Sequence, residues 1–150
     1  MENKKTLVSA DEQSRVSRNL LVWLNEYTDK PVAKINYEYL GTETGMALST
    51  IQAAYKVRQY ITGEYRAQYQ FKLVYRLIPS TNDERLTAEE TLNAIGAWME
   101  ENKNSLDMGE NNSVISVERD SVAALYARYD GGWEDYQILM NLVYEVNTNG

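Results

Sequence analysis

Hydrophobic and polar positions along this chain alternate between two periods. From Asp11 to Tyr27 the spacing is helical: Val16, Leu20, Trp23, Leu24 and Tyr27 form one apolar stripe, with Arg15, Ser17, Arg18, Asn19 and Asn25 largely off it. Ser9 or Asp11 can cap the start, acidic Asp11 and Glu12 suit the positive helix end, and Thr28-Asp29-Lys30-Pro31 stops it. Residues 34–40 repeat every second position instead. Ile35, Tyr37 and Tyr39 share one face and Lys34, Asn36 and Glu38 the other, which predicts a half-buried strand. A turn-rich loop over Gly41–Gly45 leads to a second strand over Met46–Gln52, whereas Ala53–Gly63 follows neither period.

The clearest strand is Tyr65–Leu77. Its odd positions are all apolar or aromatic and its even positions are polar except Val74, the one-sided pattern of an antiparallel sheet. Thr87-Ala88-Glu89-Glu90 reads as a capping box opening a second helix to about Asn102, with Ala88, Leu92, Ile95 and Met99 on one face and Trp98 beside it. Asn104–Asn112 reads as a polar, mobile loop. Strands are expected over Val114–Glu118, Ser121–Tyr129 and Tyr136–Val146, the last two joined through the turn Asp130-Gly131-Gly132. Ile138, Met140, Leu142, Tyr144 and Val146 mark one face of the last strand. The expected fold is α+β: an antiparallel β-sheet of about five or six strands with two α-helices packed on one face. No linker divides the chain and no repeat of 20–50 residues is visible. Residues 1–150 therefore read as one domain, with flexible tails over 1–10 and 147–150.

Composition narrows the chemistry. There is no cysteine and no histidine among the 150 residues. Thiolate nucleophiles, sulfur-ligated metals and imidazole bases are excluded with them. Ser-Lys dyads and carboxylate-held Mg²⁺ remain open. A formal charge of −7 argues against duplex DNA binding as the main activity. The longest apolar run, Leu20–Leu24, is far short of a bilayer span. With no apolar leader in Met1–Ser14, a soluble protein made in the cytoplasm is expected. The acidic pairs Glu89-Glu90, Glu100-Glu101 and Glu134-Asp135 read as solvated surface, and no phosphate loop or nucleophile elbow is present. The expectation is a protein with no catalytic residues, no metal and no cofactor.

Twelve tyrosines are the unusual feature. A tyrosine buries a large ring and keeps a polar tip, and Tyr, Trp and Arg concentrate at interface hot spots. They serve equally as half-buried sheet cover. In the segment without a period, Tyr55, Arg58 and Tyr60 are the candidate residues for contact with a neighbouring subunit or partner.

The stretch Tyr60–Leu73, with its Tyr-Ile-Thr-Gly turn before a long aromatic strand, resembles the small tail-terminator or minor capsid proteins of long-tailed phages of Gram-positive bacteria. The closing segment Asn112–Val146, with Trp133–Ile138, is similar to theirs, and the shared plan runs from Asp11 to Val146. The resemblance implies a non-enzymatic virion protein of the head–tail joint. It implies a hexameric ring that caps the tail tube and meets the head connector. Its partners are then itself, the tail-tube protein and the head-completion protein, with DNA only as passing cargo and no membrane. Another virion or prophage assembly protein, a small-molecule binding module and a carboxylate/Mg²⁺ enzyme stay open beside it.

Overall fold

Ser9 sets the start of the first helix. Its backbone is extended, and its Oγ accepts the Glu12 N–H at 3.2 Å. Helix α1 (Ala10–Leu24) follows and buries Val16, Leu20, Trp23 and Leu24 of the expected stripe; it ends before Tyr27, which is half-buried, and it also buries Ser17, expected off the stripe. The computed structural model describes residues 6–147, so residues 1–5 and 148–150 of the expected tails lie outside the described residues. Within the stretch expected to be a flexible N-terminal tail, Thr6–Leu7 form a short strand, β1.

Beyond α1 come β2 (Ile35–Tyr37), β3 (Gly45–Thr50), β4 (Tyr55–Gln59) and β5 (Tyr65–Leu77). Helix α2 (Asn82–Glu101) and a 3-10 turn (Lys103–Ser105) lead to β6 (Asn112–Arg119), β7 (Ala124–Arg128) and β8 (Glu134–Val146). The fold is α+β, with eight strands among the described residues. The two beyond the expected number are β1, only two residues long, and β4, whose register shifts at Val57 and so loses the alternation a sequence reader looks for. Strands β5 and β8 pair antiparallel along their whole length, from Tyr65↔Val146 to Leu77↔Glu134. Strands β3 and β4 flank β5 in succession, and β6 and β7 flank β8 in the same way. Strand β1 extends the sheet from β4, and β2 runs parallel to β3.

Both helices cover one face. The odd positions Ala67, Tyr69, Phe71, Leu73 and Tyr75 of β5 share a core with Val16, Leu20, Trp23, Leu24, Leu92, Ile95 and Met99. The helices meet through Trp23 and Trp98, with ring centroids 5.1 Å apart, and Tyr27 closes on Trp98 at 5.3 Å. Each fully buried large side chain here contributes about 1.5–3 kcal/mol of hydrophobic stabilisation.

Three local readings are corrected. Helix α2 begins at Asn82, not at Thr87. Thr81 is its cap, accepting the Glu84 N–H at 3.1 Å, while Glu84 reaches back to the Ser80 N–H. Thr87 lies inside the helix, where its carbonyl accepts the Thr91 hydroxyl. Strand β2 stops at Tyr37, and only Ile35 of the expected apolar face is buried; Tyr37 and Tyr39 are 40% and 64% exposed. Glu38 adopts φ 54° and bends the chain away, held by hydrogen bonds to Ser49 and Thr50. The loop before β6 is anchored: Leu106 and Met108 are buried, and Trp23 Nε1 donates to Ser105 Oγ at 2.8 Å.

The sheet contains an internal repeat. Moving 69 residues along the chain carries β5 onto β8 (Tyr65 to Glu134, Leu77 to Val146) and β4 onto β7 (Tyr55 to Ala124, Gln59 to Arg128). The register shift between Lys56 and Arg58 recurs between Leu125 and Ala127. The turns close identically, Tyr60 N–H to Glu64 O and Tyr129 N–H to Trp133 O, both at 2.9 Å. The kinks before β4 and β7 match too. Ile51 N–H meets Gln70 O as Asp120 N–H meets Leu139 O, and the Ala54 and Ala123 N–H groups donate to side chains of α1 and α2, Gln13 and Asn93. Each half is a helix followed by a kinked strand, a tight turn and a long strand. The halves pair about a pseudo-two-fold axis midway along the β5–β8 ladder.

Candidate interaction surface

Tyr55, Arg58 and Tyr60 lie on β4 and its turn, and the bulge at Val57 decides their arrangement. In a regular strand, residues 55 and 58 would point to opposite faces. With one extra residue between them, Tyr55 faces Gln68 and Arg58 faces Arg66, both on the sheet face away from the helices. Tyr55 is half-buried and Arg58 exposed. The Arg58 guanidinium sits 5.2 Å from the Tyr60 ring centroid, so these two form one cation–π unit. Gly63, at φ 94°, closes the turn by donating its N–H to Tyr60 O. One strand residue away, Lys56 Nζ lies 4.2 Å from the Tyr65 ring.

The quasi-equivalent end, at the turn between β7 and β8, was missed in the sequence. Tyr129 occupies the place of Tyr60, and its ring takes the Arg76 guanidinium at 5.0 Å. Lys72 Nζ lies 4.4 Å from the Tyr126 ring. Tyr126 and Tyr129 are exposed, as are Val122 and Leu125 nearby. The only sequence signal was the pair of turns, Tyr-Ile-Thr-Gly at residues 60–63 and Tyr-Asp-Gly-Gly at residues 129–132.

Glu134 and Asp135 are not solvated surface. Both are buried beneath this end. Arg76 clamps Asp135 through Nε at 2.7 Å and Nη2 at 2.8 Å, and the Tyr129 hydroxyl donates to the same carboxylate at 2.9 Å. Arg76 also donates to Gly41 O at 3.1 Å. Glu134 accepts from Arg85, Arg128 and the Tyr136 hydroxyl. At the other end Glu12, equally buried, accepts the hydroxyls of Tyr65 and Tyr144, the latter at 2.5 Å. These carboxylates are all occupied in holding the fold.

Concavities are open and shallow. One of about 290 Å³ lies between Gly41, Thr42, Arg76, Tyr129 and Trp133, and one of about 400 Å³ lies along α1 beside Ser105–Gly109. Among the described residues there is no group of three or more acidic, His or Cys side chains placed to hold a metal ion. No helix of the described residues is long and apolar enough to cross a membrane. No protein-family model matches the chain, and no curated protein matches it.

The buried hydroxyls predict a pH dependence. Burial, then the Glu134 carboxylate, pushes Tyr136 up to about 12, and burial first, then Glu12, raises Tyr65 and Tyr144 well above the ordinary value near 10. A raised native pKa gives stability that is fully present below pH 10 and is lost as the pH climbs through the native values. Phenolate absorbance from Tyr65, Tyr136 and Tyr144 is expected to appear only well above pH 10, together with loss of circular dichroism. A single step near pH 10 with the fold intact would contradict this. Glu134 gives the acid side. Burial raises its pKa, but Tyr136, Arg85 and Arg128 together outweigh that and hold it below 4.5. Its contribution is full above that value and fades as the pH falls through the native pKa.

Proposed function

We propose that this chain is a structural subunit of the phage head–tail joint, a tail-terminator or minor capsid protein whose ring caps the tail tube and meets the head connector. The observation that supports it best is the pair of similar ends. One subunit presents an Arg58–Tyr60 turn at one end of its long ladder and an Arg76–Tyr129 turn at the other. A ring needs two different patches per subunit, each meeting the other on the next copy. Aromatic rings stacked with cations suit such patches, because they bury area while each keeps a polar group at the rim. The non-catalytic part of the reading draws on the buried carboxylates, which are engaged in ion pairs and hydroxyl contacts. In this reading the tail-tube and head-completion proteins are the partners and DNA passes through the lumen, where a subunit charge of −7 disfavours sticking.

Replacing Tyr55, Arg58 and Tyr60 together by alanine is the test. The variant is expected to keep the wild-type circular dichroism and to lose ring formation in size-exclusion chromatography with light scattering. Rings of wild-type size from the folded variant would remove this surface from the assembly.

A further inference from the structure

We infer that the free edge of β7 takes the β4 edge of a second copy, head to tail; the inference rests on the ring reading and names its contact. An unpaired strand edge is a template for another strand, and this chain seals most of its own. The edge of β2 is held by Asn25, whose amide donates to Ile35 O and accepts the Ile35 N–H. The edge of β6 is engaged by Lys103 Nζ on Ile115 O and by Glu100, which accepts the Arg119 N–H. Strand β1 covers β4 at Tyr55 and Lys56 but, among the described residues, leaves Val57–Gln59. Among the described residues, strand β7 pairs with β8 alone.

The vacancy on β7 follows from the internal repeat. In the first half, the residues ahead of α1 fold back as β1, and Val8 donates its N–H to Ala54 O at 3.1 Å. In the second half, the residues ahead of α2 continue β5. Ile78 and Pro79 are tethered there, and Pro79 has no N–H to give. Ala123, the equivalent of Ala54, has its N–H satisfied by Asn93, but among the described residues no backbone donor reaches its carbonyl. Around this place Val122 is 75% exposed, Tyr126 54% and Leu125 38%.

Charge selects the occupant. Strand β4 carries Lys56 and Arg58 and no acid. Around β7 stand Glu118, Asp120 and Asp130; of the cations there, Arg119 and Arg128 are paired with Glu100 and Glu134, and Lys72 lies over the Tyr126 ring. Two β4 edges, or two β7 edges, would set like charges together. One of each sets opposite charges together. Such a contact is heterologous and repeats from copy to copy until a rotation closes it.

The chain has no cysteine, so introduced thiols are its only ones. Val57→Cys protein mixed with Tyr126→Cys protein and treated with a short bismaleimide is expected to give a covalent dimer that neither gives alone. The double variant is expected to give a ladder ending at the ring size. Lys56→Glu with Arg58→Glu should weaken association by about tenfold or more, and adding Asp120→Lys with Asp130→Lys should restore it. Self-cross-linking of Tyr126→Cys protein would replace this contact by a two-fold one and overturn the inference. Rings in the microscope with neither cross-link nor charge rescue would overturn it and leave the ring reading standing. A protein that stays monomeric and caps no tubes would remove both.

Discussion

Phe71→Ala is expected to destabilise the protein by about 3–5 kcal/mol in chemical denaturation. Phe71 is fully buried, faces Met140 at the midpoint of the β5–β8 ladder and packs 5.8 Å from the Tyr69 ring. Both halves of the repeat and both helices converge there, so no single element can relax into the cavity. Lys72→Ala, one residue along on the other face, should change stability by only about 0.5 kcal/mol. Similar effects from the two would mean that the odd face of β5 is not the core.

Arg76→Ala is expected to cost about 2–4 kcal/mol, somewhat below a fully buried pair because the Arg76 side chain keeps 21% exposure. The loss arises mainly at Asp135, whose side chain is 3% exposed and, among the described residues, would keep only the Tyr129 hydroxyl as a donor. Penalties of this kind come from leaving a charge unpaired, so Arg76→Met combined with Asp135→Leu should recover most of the stability. Failure of the double variant to recover would show that Arg76 acts instead through Gly41 and the loop it holds.

The sequence pattern disclosed elements wherever one period ran uninterrupted. Tyr65–Leu77 has the boundaries that its alternation predicts, because one face meets helices and the other does not. Four of the five stripe residues of α1 are buried as read; the fifth, Tyr27, lies past the helix end at Leu24 and is half-buried. The start of α2 was misplaced because Thr-x-x-Glu occurs twice, at Thr81 and Thr87; the earlier one caps the helix, which leaves the second inside it. Tyr37 and Tyr39 alternate correctly, but the backbone turns at Glu38, and alternation carries no information about what covers a strand. The acidic pair 134–135 looked solvated because Arg85 and Arg76, which bury it, lie 49 and 59 residues away in sequence; only Arg128 is near, six residues before Glu134. The repeat escaped for two reasons. Its offset exceeds 50 residues, and between Gly45–Leu77 and Val114–Val146 only seven positions agree: Ala54/Ala123, Tyr60/Tyr129, Gly63/Gly132, Gln68/Gln137, Leu73/Leu142, Val74/Val143 and Tyr75/Tyr144. What persists is a turn, a kink and part of a core strand, the places where backbone geometry is most demanding.

The candidate site was legible only as composition. Tyr55, Arg58 and Tyr60 stood out for lacking a period, and the bulge at Val57 is the physical cause of that irregularity. The second end, with Tyr126, Tyr129 and Trp133, lay within segments that read as ordinary strand and turn. Its significance depends on the pseudo-symmetry, which needs three dimensions to be seen.

The most direct measurement is negative-stain microscopy of tail tubes polymerised with and without the purified protein. If the chain is a tail terminator, tubes formed in its presence stop at limited length and carry a ring at one end, and added protein arrests growth. Tubes of unchanged length with bare ends, at protein in excess over tube ends, would contradict it.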